Sequence, residues 1–366
     1  MVPEAAWAEA VRLLSAAEEV DLVCHVGPDG DALGSALAAG LGLAARGTRV
    51  RVSFGDDPQV VPDSLGLLPG LELLVPAAAV PERPGVMAVF DCASASRLGL
   101  LRGKAAAARH LVVLDHHASN SADSGFGTVR LVDPAAAATA VLVERLLGLL
   151  GVPLDASIAA CLYTGVASDT GSFKYAGTTP AVHELAGRLL ATGIRHDLIA
   201  RRLWDTASFG YLKVLAAALE RARLDQAAAG GLGLVWTVVP QQELRRHGVA
   251  YEEVEGLIDQ VRKVESAEVA LVLKERPDGA LYGSARAKGA VDLGPVCAAM
   301  GGGGHAFAAG FTSVEGPEAT VERFRALLDA AGPREEPPAP GGGGAAVPHP
   351  RISDENTSTS ERVATE

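Results

Sequence analysis

The segment HVGPDGDALGS, from His25 to Ser35, places one imidazole and two carboxylates within seven residues. Such a set suits divalent cations of the Mn2+ kind, which accept imidazole and carboxylate donors together. Gly30, between Asp29 and Asp31, lets the backbone turn so that both carboxylates converge, and their alternation suits two adjacent metal positions. Further acidic and imidazole groups follow other apolar runs. Asp91 comes after VMAVF, and Asp115, His116 and His117 come at the end of LVVL. Asp169 lies in SDTGSF, beyond a helix that presents Ile158, Leu162 and Val166 along one side. A single Asp after a strand is often only a cap for the next helix. Four element ends that aim acids or imidazoles at one edge would repel one another unless cations sat among them. A divalent-metal site is the expectation.

These groups need a scaffold that gathers chain ends. Apolar runs at 20–24, 50–54, 86–90 and 111–114 predict buried strands, and residues 32–46 and 139–150 predict helices. This β-α-β-α rhythm, from about residue 5 to 190, predicts a parallel sheet with helices on both faces. Ligands of such sheets gather beyond the carboxyl ends of the strands. Residues 195–229, with Leu198, Leu203, Leu212, Leu215 and Leu219 at helical spacing, predict a helical connector without strands. A second α/β unit follows, with strands expected at 232–239, 269–274 and 281–287 and a helix at 252–264. The stretch 333–366 carries six prolines and little apolar surface, so disorder is expected there. A chain ending near Gly332 should keep its melting transition and its activity; loss of either on truncation would refute this.

The second unit carries its own chemistry in four glycines at 301–304 followed by His305. A Gly-rich turn can aim a row of N–H groups at an anion, and Arg286 and His305 add cationic or hydrogen-bonding partners. Arginine offers phosphate a bidentate fork. No Lys-Ser/Thr follows the run and no GxGxxG context surrounds it, which excludes a Walker-type loop and a dinucleotide fingerprint. The other glycine run, 341–344, sits among prolines and reads as flexible.

The net charge of −12 argues against a protein that coats long or duplex nucleic acid, while leaving room for one nucleotide-sized anion in a local pocket. The four cysteines form no CxxC pair, so zinc-ribbon and disulfide frameworks are excluded and a reducing, cytoplasmic setting is expected. No stretch is long and apolar enough for a membrane helix, and the first residues lack a signal-peptide pattern. Cys24 and Cys92 flank candidate ligands but are expected in the core. His110, His183, His196, His247 and His349 lack acidic company at strand ends and are expected to be surface or structural.

HVGPDGDALGS, FDCASASRLG, LDHH and SDTGSF resemble, in order, the four motifs of the DHH phosphoesterases. SARAKG at 284–289 and GGGGHAFAAG at 301–310 resemble the DHHA1 substrate-binding domain. The nearest likeness is to the bacterial bifunctional oligoribonuclease and pAp phosphatase (nanoRNase) group. The resemblance implies a parallel-sheet DHH domain over residues 1–194, a connector over 195–229, and a smaller α/β DHHA1 domain over 230–332 facing the first across a cleft. It implies two Mn2+ ions, with Mg2+ or Co2+ as substitutes. His25, Asp29 and Asp91 would hold one ion, and Asp31, Asp91, His116 and Asp169 the other. Asp115 would orient the site and His117 would lie near the phosphate. Ser284, Arg286, Gly302, Gly303, Gly304 and His305 would bind substrate. The implied substrates are short oligonucleotides, dinucleotides such as pApA, pAp or cyclic di-AMP, with a homodimer as the assembly to test for. Type II pyrophosphatase, RecJ-like exonuclease and a non-catalytic nucleotide sensor are the rival readings.

Overall fold

The computed structural model describes residues 2–117, 120 and 126–333; the tail from 334 onward, with His349 and the second glycine run, lies outside the described residues. In the first lobe, strands β1 (Glu19–Cys24), β2 (Arg49–Phe54), β3 (Val86–Phe90), β4 (His110–Asp115) and β5 (Val129–Val132) pair entirely in parallel, in the order β2-β1-β3-β4-β5. Strand β3 reads VMAVF and is buried at every position, as a strand covered on both faces must be. Helices α1 (Glu4–Ala16), α2 (Gly30–Ala45), α3 (Arg102–Ala107), α4 (Thr139–Leu149), α5 (Ala156–Asp169) and α6 (Pro180–Ala191) complete the lobe. Helices α1, α2 and α4 pack on one face, which bears Leu22, Phe54, Ala88, Phe90 and Leu114, while α5 lies on α2 and α4 and α6 lies on α5. The other face, with Val23, Met87, Val89 and Val113, is covered by α3 and by short turns through Leu98 and Leu101.

Glycines let α2 and α5 approach closely. A Cβ on Gly34 would lie 2.5 Å from the Cys161 carbonyl oxygen, and one on Gly165 would lie 2.7 Å from Asp31 Oδ1. Asp31 on α2 and Asp169 at the end of α5 thereby reach the same edge of the sheet. Gly165→Ala should cost about 1–3 kcal/mol through overpacking and weaken metal uptake with it. Unchanged thermal unfolding and metal titration would contradict this role.

Helices α7 (His196–Trp204) and α8 (Phe209–Glu220) form most of the connector. The expectation that it contains no strand is corrected at its end, where β6 (Arg223–Asp225) pairs antiparallel with β7 (Leu234–Val239). A three-residue edge strand is too short to carry a period that a sequence reading can detect. The rest of the second sheet is β8 (Val269–Glu275), β9 (Leu281–Ala287), β10 (Gly303–His305) and β11 (Ala308–Ser313), in the order β10-β11-β9-β8-β7-β6. Only β7 and β8 pair in parallel, so this is a mixed sheet.

Helices α9 (Gln241–His247) and α10 (Ile258–Val261) join α8 over Val235, Val239, Ala270 and Val272 on one face. Helices α11 (Leu293–Ala299) and α12 (Pro317–Ala331) cover the other. The single helix expected over 252–264 is instead a 3-10 turn, Tyr251–Leu257, running into α10. Gly256 is a poor helix former there, and the turn is closed by Glu253 Oε1, which accepts the Ala250 N–H at 2.8 Å.

The lobes touch through Arg262, whose Nη1 donates to Tyr175 Oη at 3.2 Å while its guanidinium lies 5.2 Å from the ring centroid. Arg202 Nε also donates to the Asp63 carbonyl at 2.8 Å. Among the described residues no helix is long and apolar enough to cross a membrane.

Candidate metal centre and the facing sheet

Strands β1, β3 and β4 are neighbours, so their carboxyl ends deliver His25, Asp91, His116 and His117 to one edge. Between β1 and β3 the chain order reverses, the position where open α/β sheets bind ligands. His25 is buried, with Nδ1 2.8 Å from the Val26 carbonyl oxygen. That carbonyl makes Nδ1 the donating nitrogen and leaves Nε2 3.5 Å from Asp91 Oδ2 and 3.9 Å from Asp29 Oδ2. Asp29 caps α2, its Oδ1 accepting the N–H groups of Asp31 and Ala32. Its other oxygen remains directed at the cluster.

Asp31 is fully buried and acts far along the chain. Its Oδ2 accepts the Thr139 N–H at 2.6 Å, and its Oδ1 accepts the Ala140 N–H at 2.9 Å and the Ser35 hydroxyl at 3.2 Å. Asp91 holds a left-handed φ of +52°, with its N–H given to the Leu114 carbonyl at 3.0 Å. Such a conformation in a non-glycine residue persists only where the surroundings enforce it. Its Oδ1 accepts the Thr139 hydroxyl at 3.0 Å.

His116 Nδ1 lies 3.2 Å from the Ala136 carbonyl oxygen, and its Nε2 lies 2.9 Å from Asp169 Oδ2, 3.5 Å from Asp91 Oδ1 and 4.0 Å from Asp31 Oδ2. His117 donates from Nδ1 to buried Asp115 at 2.7 Å. The second Asp115 oxygen accepts from Asn120 Nδ2 at 2.8 Å, and Arg130 Nη2 donates to Asn120 Oδ1 at 2.6 Å.

The eight residues singled out here by sequence therefore come together. Three sets have donor atoms all within 4.8 Å of one another: His25 with Asp29 and Asp91, Asp31 with His116 and Asp169, and Asp91 with His116 and His117. Asp91 belongs to two of them.

Electrostatics explains why this crowd needs cations. Burial, then the Asp91 charge, pushes the Asp31 carboxyl up to about 7. Burial and the Asp31 charge hold Asp169 well above the ordinary carboxylate range. Burial also opposes ionisation of Asp91, but the His25 hydrogen bond and the charges of His117 and His116 outweigh it, and its pKa is lowered. Burial works against a charged His116, yet the bond to Asp169 and the charge of Asp31 lift it to about 10. Without cations, then, the carboxylates must share protons with each other and with the imidazoles. Each imidazole is also oriented by a carbonyl or carboxylate on its far nitrogen, as in metal-ligating histidines. The donor set fits divalent metal ions. Cys24 and Cys92 are fully buried and join none of the sets. Burial pushes the Cys92 thiol up to about 12.

On the second lobe, Tyr282, Ser284 and Arg286 alternate along β9 and so share one face of the sheet. Arg286 is half-buried, and its Nη1 donates only to the Ala285 carbonyl among the described residues. The open anion-binding turn expected for glycines 301–304 is corrected. Gly301 turns with φ +82°, and Gly303 and Gly304 then run as strand β10 against Gly310 and Ala309. The Gly302 N–H is taken by the Cys297 carbonyl at 2.8 Å. A Cβ on Gly302 would lie 2.0 Å from the Gly310 carbonyl oxygen, and one on Gly304 2.6 Å from that of Ala308. Close backbone approach accounts for Gly302 and Gly304. His305 closes β10.

Thr139, Asn120 and Arg130 escaped the sequence reading. Thr139 stands at the first position of a predicted helix but its partners Asp31 and Asp91 lie far away in sequence, and Asn120, three residues after LDHH, carries no spacing that marks it as a support for Asp115.

The DHH family N-terminal domain matches residues 19–166, and the DHHA1 domain matches residues 234–332. The chain belongs to the DHH/DHHA1 phosphoesterase family, metal-dependent enzymes that hydrolyse phosphoric esters. It is 33% identical over 317 residues to the bifunctional oligoribonuclease and PAP phosphatase NrnA of Thermus thermophilus, covering 85% of this chain and 90% of that protein. The fold is shared with the crystal structure of an exopolyphosphatase-related protein from Bacteroides fragilis, at a TM-score of 0.79 and 22% identity, covering 90% of this chain and 97% of that one. It is also shared with RecJ in complex with Mn2+ from Thermus thermophilus, at a TM-score of 0.51 and 16% identity, covering 89% of this chain and 54% of that one.

Proposed function

We propose that the chain is a Mn2+-dependent phosphoesterase of short nucleotides, hydrolysing dinucleotides such as pApA and short RNA to mononucleotides, and pAp to AMP. The observation that carries this reading is the carboxylate of Asp91, which lies 3.5 Å from His25 Nε2 of one ligand set and 3.5 Å from His116 Nε2, a member of the Asp31 and Asp169 set. His25, Asp29 and Asp91 would hold one ion, and Asp31, Asp91, His116 and Asp169 the other. When bound, two such ions supply positive charge that orients a phosphate and stabilises the attacking and leaving oxygens of an in-line displacement. Asp115 fixes the imidazole of His117 by accepting from Nδ1, so Nε2 is the atom that exchanges a proton with the leaving group. Ser284, Arg286 and the glycine-bearing strand with His305 hold the far end of the substrate, so that substrate length is read across the two lobes. The acidic net charge agrees with short substrates, and the Thermus relative is named for both activities.

The test is a side-by-side rate comparison on pAp, pApA, a short RNA, cyclic di-AMP and pyrophosphate with Mn2+, Mg2+ or Co2+ supplied. Hydrolysis of pApA, short RNA and pAp, fastest with Mn2+, is expected. Turnover of pyrophosphate alone would overturn the reading.

A further inference from the structure

We infer that Arg97 is a phosphate-binding residue of the first lobe, engaging the non-bridging oxygens of the phosphate under attack. This rests on the phosphoesterase reading above and names a residue of the same site. Arg97 stands six residues beyond Asp91, in the turn that follows β3. Its backbone ties two ligand-bearing turns together. The Arg97 N–H donates to the Ser94 carbonyl at 3.1 Å, and its carbonyl accepts at 2.9 Å the N–H of Val26, the residue after His25. Beyond it the chain is clamped on Gly55. The Leu100 N–H donates to the Gly55 carbonyl at 3.0 Å, and a Cβ on Gly55 would lie 2.0 Å from the Leu98 carbonyl oxygen. The base of the side chain is therefore rigidly placed.

The side chain itself is half-buried, and among the described residues no hydrogen bond or ion pair engages its guanidinium. Its surroundings make this informative. Asp29 and Asp91 are already engaged with the α2 N-terminus, His25 and Thr139. At the opposite edge of the same sheet, Arg49 and Arg51 are each paired with Glu19 or Asp21. The Arg97 charge is felt by His25 and Cys92 on the first lobe and by Tyr282 on the second. The bond between the Arg97 carbonyl and Val26, next to His25, sets the residue beside the metal-ligand cluster. A rigidly based arginine without a carboxylate partner, beside a metal-ligand cluster, matches a tetrahedral phosphate, to which the fork donates two hydrogen bonds.

The experiment compares wild type, Arg97→Ala and Arg97→Lys on two substrates with Mn2+ supplied: bis(4-nitrophenyl) phosphate, which offers only a reacting phosphate, and pApA. Arg97→Ala should lower kcat/KM on both by roughly 10²-fold, the scale for losing one preorganised donor to developing charge. Mn2+ content and melting temperature should stay unchanged, and Arg97→Lys should recover part of the loss. Calorimetry with AMP on the metal-free proteins gives an independent readout, with affinity about tenfold weaker in Arg97→Ala. The inference is overturned if Arg97→Ala stays within about twofold of wild type on the small diester, loses Mn2+, or binds AMP as wild type does. If wild type cleaves neither substrate, the phosphoesterase reading fails instead, and the AMP titration still decides the role of Arg97.

Discussion

Replacing Asp91 with Asn is expected to reduce turnover of pApA to background while leaving the melting transition in place. The amide is isosteric and can still accept the Thr139 hydroxyl at the 3.0 Å contact. Asn also tolerates the left-handed backbone that Asp91 adopts at φ +52°. What disappears is the one carboxylate that lies within reach of both His25 and His116, each 3.5 Å away. Removing a residue that merely supports a metal ligand costs ~10–100-fold; loss of the shared ligand should exceed that by a wide margin. Metal stoichiometry should fall below two per chain in the same preparation. A well-folded variant with near-normal rates would sink the two-metal assignment.

Arg286→Ala should separate substrate capture from chemistry. Removing a charge-assisted contact to a phosphate costs ~1.5–3 kcal/mol, or about ten- to a hundredfold in kcat/KM. That loss should fall on pApA and pAp. Hydrolysis of bis(4-nitrophenyl) phosphate should barely change, because so small a diester does not extend to β9. Part of the loss should enter kcat, since binding energy from a remote group helps to position the reacting centre. Metal content should be unaffected. Equal losses on both substrates, or release of Mn2+, would place Arg286 in the reacting centre or in the fold. The contrast with Arg97→Ala, expected to harm both substrates, makes the two variants informative as a pair.

The strands that position the metal cluster were legible because each is a short, mainly apolar run followed by a polar ligand, and β3 occupies residues 86–90 as expected. Strands β5, β6 and β10 were not, for they have four, three and three residues, too few for periodicity to register, and the six-residue β11, AAGFTS, was not either, its small residues and glycine giving no strand signal. The ligands were readable because metal chemistry restricts their types. Their supports were not, because any hydroxyl or amide can serve and only the fold decides which arrives. Thr139 reaches Asp31 across 108 residues and Asp91 across 48. The glycine run shows the limit from the other side. Its composition announced an unusual backbone, but strand pairing rather than an open turn is what uses it.

The contact between Arg262 and Tyr175 has a thermodynamic consequence. Tyr175 lies six residues beyond Asp169 and folds its ring back onto Gly171, where a Cβ would come within 2.3 Å of it. The turn between them holds Gly171, Ser172 and Phe173 all at positive φ, so it has little slack. A displacement of the second lobe must therefore break the Arg262 contact or pull on the segment that carries Asp169. Lobe position and ligand position share a free energy, and such a coupling is reciprocal. Whatever draws the lobes together favours the arrangement of Asp169, and whatever holds Asp169 favours closure to the same degree. An exposed cation–π contact contributes about 0.5–1 kcal/mol, so that part of the linkage changes either affinity by up to roughly fivefold.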